Sequence, residues 1–483
     1  MGPESPSQEA PEEMTSPFSL LQPAPSVLAP RVGKFAVPGR KAIQTPHYVA
    51  ITSRGSVPHL THDVVRDHTT IGSLYFGLED FLEKAPNEVP PIYKVPRALH
   101  ESALRKFACL QDDILLVLGA RRVPPIVCPP ANTDNSIGIL TSFGYRQLEA
   151  EQYIEAVQKL RPDVVVGLAD LVLGQKPGVK RREKMVDRTH AYTRDATRQL
   201  YETEDGAESD LKKTLYFAPV LPLENTQQTL YLGDLGDELR EHISGLALYE
   251  SSSLSVVPEE LGDLPRLSFS EPKTPQEVLR DIALGADLLT IPFIGGMSDG
   301  GIALDFVFPP KKEEHKEDQQ DEPKRKALGI DLWSPSYATD LSPLVQGCEC
   351  YACTKHHRAY LRHLLSAREM LAWTLLQIHN YHTMDRFFAA VRESIANGTF
   401  EESVEAFERT YESSLPQQTG QGPRLRGYQV HPSGPSEPRR NPRAYGRLDD
   451  KAEKFAEALQ SSVATPDADA EELQESGFAE KEC

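Results

Sequence analysis

The chain has 483 residues, of which 39% are hydrophobic and 25% charged, and its formal net charge is -19. A chain of this length and composition can bury a large core, so disorder over the whole length is excluded. Because phosphate binding depends on clustered Lys and Arg, the acidic balance also excludes a protein whose entire surface binds nucleic acid. Any contact with RNA must be local or shared with a partner.

The cysteines indicate a reducing compartment, because three of the six fall in one short segment and the set is too small and uneven for a disulfide scaffold. The sequence shows no apolar run near the ~20 residues that a membrane-spanning helix needs. Its first residues also lack the basic and apolar regions of a secretory signal. We therefore predict a cytoplasmic protein, while peripheral association with an organelle surface stays open.

Composition predicts a folded region between two polar ends. Residues 1–30 are rich in Pro, Ser and Glu and are predicted to be a disordered leader, so that the fold begins near Phe35. The folded region is predicted to span 31–415. Residues 416–483 have the composition of a low-complexity tail, in which 449–460 could form a short helix.

Two charged insertions interrupt the folded region, at about 175–213, where a helix adjoins a loop, and at 309–327. Basic residues in the first insertion either form a solvated helix face or contact nucleic-acid phosphates: Lys180, Arg181, Arg182 and Lys184. The tail offers the same two interpretations for its arginines and the tyrosines between them. These residues are Arg424, Arg426, Tyr428, Arg439, Arg440, Arg443, Tyr445 and Arg447.

Short β-branched runs alternate with helical patterns along the folded region. A helix is predicted from Arg146 to Leu160 and another from Pro275 to Leu284, with Thr274 as its N-cap. Continuous apolar runs typical of a parallel sheet predict strands at 164–168, 214–221, 243–248, 266–269 and 287–293. Repeated βα units without a GxGxxG turn favour an α/β barrel over an open dinucleotide-binding sheet.

The most specific signal is a group of potential metal ligands. Cys348, Cys350 and Cys353 lie in one tight segment, and His379 follows on a predicted helix. Three thiolates and one imidazole form a closed tetrahedral set for Zn²⁺, with no position for a reactive water, so the site should be structural. Unligated cysteines in a turn are the alternative. Spacing also leaves other histidines open as the fourth ligand: His356, His357, His363 and His382.

The motif C-x-C-x-x-C followed by 25 residues and His resembles the zinc motif of the tRNA-guanine transglycosylase family. The segments RAYLRHLL (358–365) and EMLAWTLLQIHN (369–380) resemble its helical zinc subdomain, and TPHYVAITSRGSVPHLT (45–61) resembles its first barrel segment. The resemblance extends discontinuously over about 33–396. It implies a TIM-like (β/α)8 barrel, a zinc subdomain at 331–400 and one structural Zn²⁺ per subunit.

Members of this family exchange a guanine base in tRNA, with one aspartate as nucleophile and another as general acid/base. A carboxylate can attack the ribose C1′ as the base departs. The family pattern Gly-x-Asp-x-Phe-Asp is replaced here by Gly285-Ala-Asp-Leu-Leu-Thr290, so the resemblance places Thr290 at the position of the nucleophile. We therefore predict no catalytic residue in this chain.

Other positions depart from the family in the same direction. Tyr249 introduces bulk into the segment that elsewhere recognises the base, and Leu221-Pro222 aligns with a base-reading Gln-Gly. The stretch that elsewhere holds the general base has no counterpart near Pro129-Pro-Ala-Asn132. Asp170 ends its strand close to the place of a base-binding aspartate, one residue out of register.

An intact metal motif beside an altered pocket predicts a non-catalytic subunit. By resemblance it would form a heterodimer with a catalytic queuine tRNA-ribosyltransferase subunit, help bind tRNA, and support exchange of guanine for queuine at wobble position 34 of tRNAs with GUN anticodons. Candidate partner contacts are Tyr360, His363 and Trp373. The alternatives are a metal scaffold unrelated to tRNA and a divergent active enzyme with a displaced carboxylate: Asp287, Asp299 or Asp305.

Overall fold

The computed structural model contains fifteen strands and eleven α-helices among the residues it describes. The described residues are 16–23, 26, 28–82, 88–98, 101–129, 131–202, 214–311 and 325–423. The strands are β1 Phe18–Leu20, β2 Gly33–Phe35, β3 Ile43–Thr45, β4 His47–Ile51, β5 Ser73–Gly77, β6 Leu115–Gly119, β7 Ser136–Thr141, β8 Gly144–Glu149, β9 Val164–Val166, β10 Leu215–Val220, β11 Gly245–Leu248, β12 Arg266–Ser268, β13 Leu288–Thr290, β14 Ile302–Leu304 and β15 Gly329–Asp331. The α-helices are α1 His62–His68, α2 Ala103–Phe107, α3 Ala150–Leu160, α4 Val179–Tyr201, α5 Asn225–Gly236, α6 Pro275–Ala283, α7 Pro292–Asp299, α8 Tyr351–Lys355, α9 Arg358–Ser366, α10 Met370–Ala396 and α11 Phe400–Thr410.

Eight of these strands form a closed parallel barrel in the order β10-β11-β12-β13-β4-β5-β6-β9, which confirms the predicted fold class. The pairing of Leu288 with His47 joins β13 to β4, and the pairing of Leu215 with Val164 joins β10 to β9. The strands are apolar because the lumen buries one face and the surrounding helices bury the other.

The predicted helix from Arg146 to Leu160 begins later in the structure. Residues 144–149 form β8, which pairs with β7 as an antiparallel hairpin, and α3 begins at Ala150. A capping box between Glu149 and Gln152 stops the helix from extending backward, because both side chains satisfy the free amides of its first turn. The N-cap at Thr274 forms as predicted, with its hydroxyl accepting from the Glu277 amide at 3.3 Å.

The predicted disordered leader is wrong for part of its length. Phe18 pairs with Phe35 in an antiparallel sheet of β1, β2 and β3, so the fold begins before Phe35. The Phe35 ring packs edge-on against Phe217 of the barrel, with centroids 6.0 Å apart. Local composition did not predict β1 because its partner, β2, is supplied by residues farther along the chain.

A second layer of β14, β15 and helices α8 to α11 follows the barrel. Helix α10 is 27 residues long, runs through this layer and has buried side chains along most of its length. The helix of the first predicted insertion forms α4, whereas 203–213 and 312–324 lie outside the described residues, as do 1–15, 424–483 and the tail arginines. In the described part of the chain, no helix has the length and apolarity to cross a membrane.

Candidate metal centre and barrel mouth

The four predicted metal ligands converge. The Sγ atoms of Cys348, Cys350 and Cys353 lie 3.6, 3.6 and 3.3 Å from Nδ1 of His379, and all four ligand atoms lie within 4.8 Å of one another. Ligands at ordinary Zn–S and Zn–N bond lengths are about 3.5–3.8 Å apart at the corners of a tetrahedron. The donor set and its spacing therefore fit a metal ion, and they are consistent with zinc.

The contacts around the ligands orient the His379 ring. Its Nε2 donates to the Leu304 carbonyl at 2.9 Å, so Nδ1 is the ring nitrogen that faces the sulfurs. The next residue, Asn380, accepts from the Leu304 amide at 2.8 Å and donates to the Ile302 carbonyl at 3.0 Å. Asn380 and its link between α10 and β14 were not predicted, since an Asn after a His carries no distinctive sequence signal.

Hydrogen bonding gives the thiols of the cluster different protonation states. Hydrogen bonds with Cys350 and Cys353 hold the pKa of the Cys348 thiol well below its usual range, whereas hydrogen bonds with Cys348 and Cys353 raise the pKa of the Cys350 thiol. Burial by itself lowers the pKa of His379, but hydrogen bonds with Cys348 and Cys353 outweigh burial and raise it to about 10. The cluster thus stabilises a thiolate beside a positive charge. A metal ion would take the place of the imidazole proton, so loading should release protons.

The other candidate histidines have different environments. His357 caps α9 by accepting from the Tyr360 amide at 3.2 Å, and His356 stacks on the Tyr360 ring with centroids 5.7 Å apart. His363 is exposed. Among the described residues, His379 is the histidine that joins the four-residue group, and His382 does not belong to it.

The predicted partner contacts divide into two kinds. Tyr360 and His363 are exposed on α9, whereas Trp373 is only 2% exposed and donates its indole N–H to the Asp299 carbonyl at 3.3 Å. The prediction that Trp373 contacts a partner is therefore wrong, because helical periodicity cannot distinguish two faces that are both apolar. Met370 and Leu371, at the start of α10, are 55% and 42% exposed.

The hydroxyl of Thr290 lies inside the barrel wall. Thr290 is fully buried at the end of β13, and its Oγ1 donates to the Ser268 carbonyl at 3.3 Å on the neighbouring strand. A hydroxyl needs an adjacent base to become a nucleophile. Here its hydrogen bond runs to a backbone carbonyl, which cannot take its proton.

Of the alternative carboxylates, Asp287 has a structural role. It is fully buried at the start of β13, opposite the end that carries Thr290, and it accepts from Arg31 Nε at 2.9 Å and from the Arg266 amide at 2.8 Å. Asp299 lies at the end of α7, 2.5 Å from His59 Nε2, and Asp305 follows β14 beside the metal cluster. None of these positions is at the end of a barrel strand, where barrel enzymes place catalytic groups.

Aromatic side chains fill the mouth at the carboxyl ends of the strands. The rings of Tyr249 and Phe269 stack with centroids 5.6 Å apart, and the Tyr75 hydroxyl donates to the Arg121 carbonyl at 2.6 Å. Gly119 permits this arrangement, since a Cβ there would lie 2.0 Å from the Tyr75 hydroxyl. The remaining cavity of about 50 Å³ is far below the ~300–1,000 Å³ of ordinary ligand pockets.

Asp170 is buried at the same end of the barrel. It accepts from Asn132 Nδ2 at 2.6 Å and from both terminal nitrogens of Arg181. Arg181 was predicted either to be solvated or to contact phosphates, and the structure commits it instead to Asp170. Lys180 and Lys184 are exposed, as both predicted interpretations require.

A closed parallel barrel followed by helices that carry a Cys3His cluster defines the class of protein. The model of the queuine tRNA-ribosyltransferase family matches residues 27–413, and the chain belongs to this family. A relative from Schizosaccharomyces pombe is 37% identical over 81% of this chain and 83% of its own length. Relatives from Xenopus tropicalis and Gallus gallus are 30% and 29% identical over 74% and 76% of this chain, each across 91% of its own length. All three relatives are named queuine tRNA-ribosyltransferase accessory subunit 2.

Proposed function

We propose that this chain is the non-catalytic subunit of a cytoplasmic queuine tRNA-ribosyltransferase. It pairs with a catalytic subunit, helps hold tRNA, and so supports the exchange of guanine for queuine at wobble position 34 of tRNAs with GUN anticodons. The observation that carries the proposal is the burial of Thr290, whose hydroxyl donates to Ser268 where a nucleophilic carboxylate would be needed.

The chemistry of base exchange supports this assignment. A nucleophilic oxygen must bond to the ribose C1′ while the C1′–N bond to guanine breaks, and the incoming base must later displace that oxygen. Both steps require a group that is anionic and reaches the nucleotide. Thr290 is neutral and enclosed, and the mouth above it is packed with Tyr75, Tyr249 and Phe269.

The Cys3His cluster is proposed to hold one structural Zn²⁺. Cys348, Cys350, Cys353 and His379 would supply all four ligands, and bound Zn²⁺ would act as a crosslink rather than as a Lewis acid on substrate. The crosslink would join α8 and the segment before it to α10, which in turn binds β14 through Asn380. Reduced thiols at this density are the basis for proposing the cytoplasm.

The exposed face of α9 and the start of α10 is proposed to contact the catalytic subunit. Tyr360, Met370 and Leu371 are each at least 37% exposed, and His363 lies on the same segment. Apolar side chains at the surface next to a rigid metal crosslink suit a stable interface, which would need to bury ~1,000 Å² or more.

The decisive experiment compares this chain alone, the catalytic subunit alone and the two together in a guanine-exchange assay on tRNA with a GUN anticodon. We expect exchange only when the catalytic subunit is present, and a higher rate when both are present. Base exchange by this chain alone, or a covalent RNA adduct mapped to Asp299 or Asp305, would overturn the proposal.

The interface is tested separately by Tyr360→Ala and Leu371→Ser in size-exclusion chromatography with the catalytic subunit. Both variants should lose the complex while they retain metal. Lys180→Ala, at an exposed position on α4, is the matched control and should assemble normally. Normal assembly by Tyr360→Ala and Leu371→Ser would place the interface elsewhere.

A further inference from the structure

His382 lies beside the metal cluster without belonging to the group of four ligands. It follows His379 by three positions on α10, so the two side chains lie on the same face of the helix. Hydrogen bonds with Cys350 and Cys353 contribute most to the low pKa of the Cys348 thiol, and hydrogen bonds with the rings of His379 and His382 lower it further. The His382 ring therefore contacts one corner of the cluster, that of Cys348.

The two histidine rings are held to different extents. Nε2 of His379 donates to the Leu304 carbonyl at 2.9 Å, and its Nδ1 faces the sulfurs, so both of its ring nitrogens are engaged. Nε2 of His382 is buried and has no hydrogen-bond partner among the described residues. The His382 ring can therefore turn without breaking a hydrogen bond at Nε2, whereas the His379 ring cannot.

A carboxylate lies one further turn along the same face of α10. Asp385 follows His382 by three positions, and its Oδ1 accepts from the Tyr48 hydroxyl at 2.7 Å while its Oδ2 accepts from the Thr70 hydroxyl. Burial raises the pKa of Asp385, and hydrogen bonds from Thr70 and Tyr48 and then the charge of His382 act against burial. Carboxylates close to a ring orient the histidines that bind metals in proteins. His382 is thus close both to a thiol of the cluster and to a carboxylate that the barrel holds in place.

The corner that His382 contacts is the most exposed of the four. Cys350 and Cys353 are 5% and 7% exposed and His379 is fully buried, whereas Cys348 is partly exposed. Solvent and competing ligands therefore reach a metal ion in this cluster most easily at Cys348. A bond between the ion and Cys348 would be the first of the four to exchange.

We propose that His382 is a reserve metal ligand, which replaces Cys348 in the coordination of the ion when that thiolate is lost. The donor set changes from Cys3His to Cys2His2, which is also a closed tetrahedral set for structural Zn²⁺. The inference rests on the proposed structural zinc and adds to it a second set of ligands. It applies to the corner of Cys348 alone, because that is the thiol that the His382 ring contacts.

The test compares Cys348→Ala with Cys350→Ala in the full-length chain, because each variant removes one thiolate from the same cluster. Zinc affinity is measured by competition with a chelator. We expect Cys348→Ala to bind zinc at least about 10-fold more tightly than Cys350→Ala, since only the first can recruit His382. X-ray absorption at the zinc edge should show two imidazoles per ion in Cys348→Ala and one in the wild-type chain.

The His382→Ala substitution separates a reserve ligand from a residue that only donates a hydrogen bond to Cys348. A hydrogen-bond donor matters less once its acceptor is gone, so His382→Ala would then reduce zinc affinity less in Cys348→Ala than in the wild-type chain. A reserve ligand gives the opposite order, and we expect the loss to be at least about 10-fold larger in Cys348→Ala.

If Cys348→Ala does not fold, Cys348→Ser and Cys350→Ser provide the same comparison with side chains that fill more of the space. One imidazole per zinc in the Cys348 variant, or a zinc affinity that His382→Ala leaves unchanged there, overturns the proposal. Equal zinc affinities in the Cys348 and Cys350 variants do so as well. A wild-type chain that binds no zinc overturns the proposed metal site itself, so the two failures are distinguishable.

Discussion

The metal cluster and the barrel mouth are built from similar polar side chains but satisfy them differently. At the cluster, three thiols and one ring nitrogen point at a common centre, and the hydrogen bonds around them orient His379 towards it. At the mouth, Asp170 and Thr290 direct their hydrogen bonds into the protein itself. The difference teaches that polar groups are available to a ligand where their atoms converge on a common centre, and unavailable where they pair with one another.

The strongest test of this comparison removes a metal ligand. We expect Cys353→Ser to lose bound zinc, measured by mass spectrometry of the metal, and to lower the melting temperature by several degrees, because structural zinc contributes folding free energy. Assembly with the catalytic subunit should fail as well. Cys109→Ser, at an exposed cysteine outside the cluster, should keep its zinc. A zinc-depleted Cys353→Ser chain that still assembles would separate the metal from the interface.

Acid should weaken the contact between the barrel and α10 through His47. Burial, followed by the charges of Arg392 and Lys41, lowers the pKa of this imidazole from its ordinary 6.5 to about 3. Because the folded chain disfavours the charged form, stability is complete above the unfolded pKa and is lost as pH falls from about 6.5 towards 3. Between pH ~6.5 and pH ~4.5 the loss attributable to His47 is about 2–3 kcal/mol.

The measurement for His47 is the free energy of unfolding by urea at several pH values. The His47→Gln variant should show a shallower decline with acid than the wild-type chain. Parallel declines in the two proteins would mean that other groups dominate. The comparison uses the difference between the two chains because Glu79 and Asp385, whose pKa values burial raises, titrate with the opposite sign.

A smaller effect is expected at Asn380, which links the metal helix to β14. Asn380→Ala leaves the Leu304 amide without its acceptor and should cost about 1–3 kcal/mol of stability. Zinc affinity should fall by about 10-fold or more, because the Leu304 carbonyl that orients His379 loses its support. Asn397→Ala, at the exposed end of α10, is the control. Unchanged affinity in a destabilised Asn380→Ala chain would show that Asn380 serves the fold alone.

The smallest effect is expected at Thr290. Thr290→Ala removes one hydroxyl and its hydrogen bond to Ser268, so stability should change by about 1 kcal/mol. The exchange rate of the complex, measured with labelled guanine, should not change. A large loss of exchange in an intact complex would show that Thr290 takes part in the reaction. The contrast between the metal cluster and the barrel mouth would then not hold.

The sequence by itself determined the features whose information is local. The three cysteines lie in one short segment, so their spacing predicts a cluster whatever the rest of the fold does. Strands buried on both faces appear as unbroken apolar runs, and Thr274 appears as a cap because its hydrogen bond reaches only three residues. These signals indicated the barrel and the metal ligands.

Only the tertiary structure decided which groups were already paired. Asp287 contacts Arg31 across 256 positions, β1 finds its partner in β2, and Trp373 turns inward to Asp299. The resemblance places Asp170 one residue away from a base-binding position, and only the structure shows that Arg181 of α4 donates to it. The physical reason is that a side chain's availability depends on every neighbour that the fold brings to it, and periodicity in the sequence reports burial without naming those neighbours.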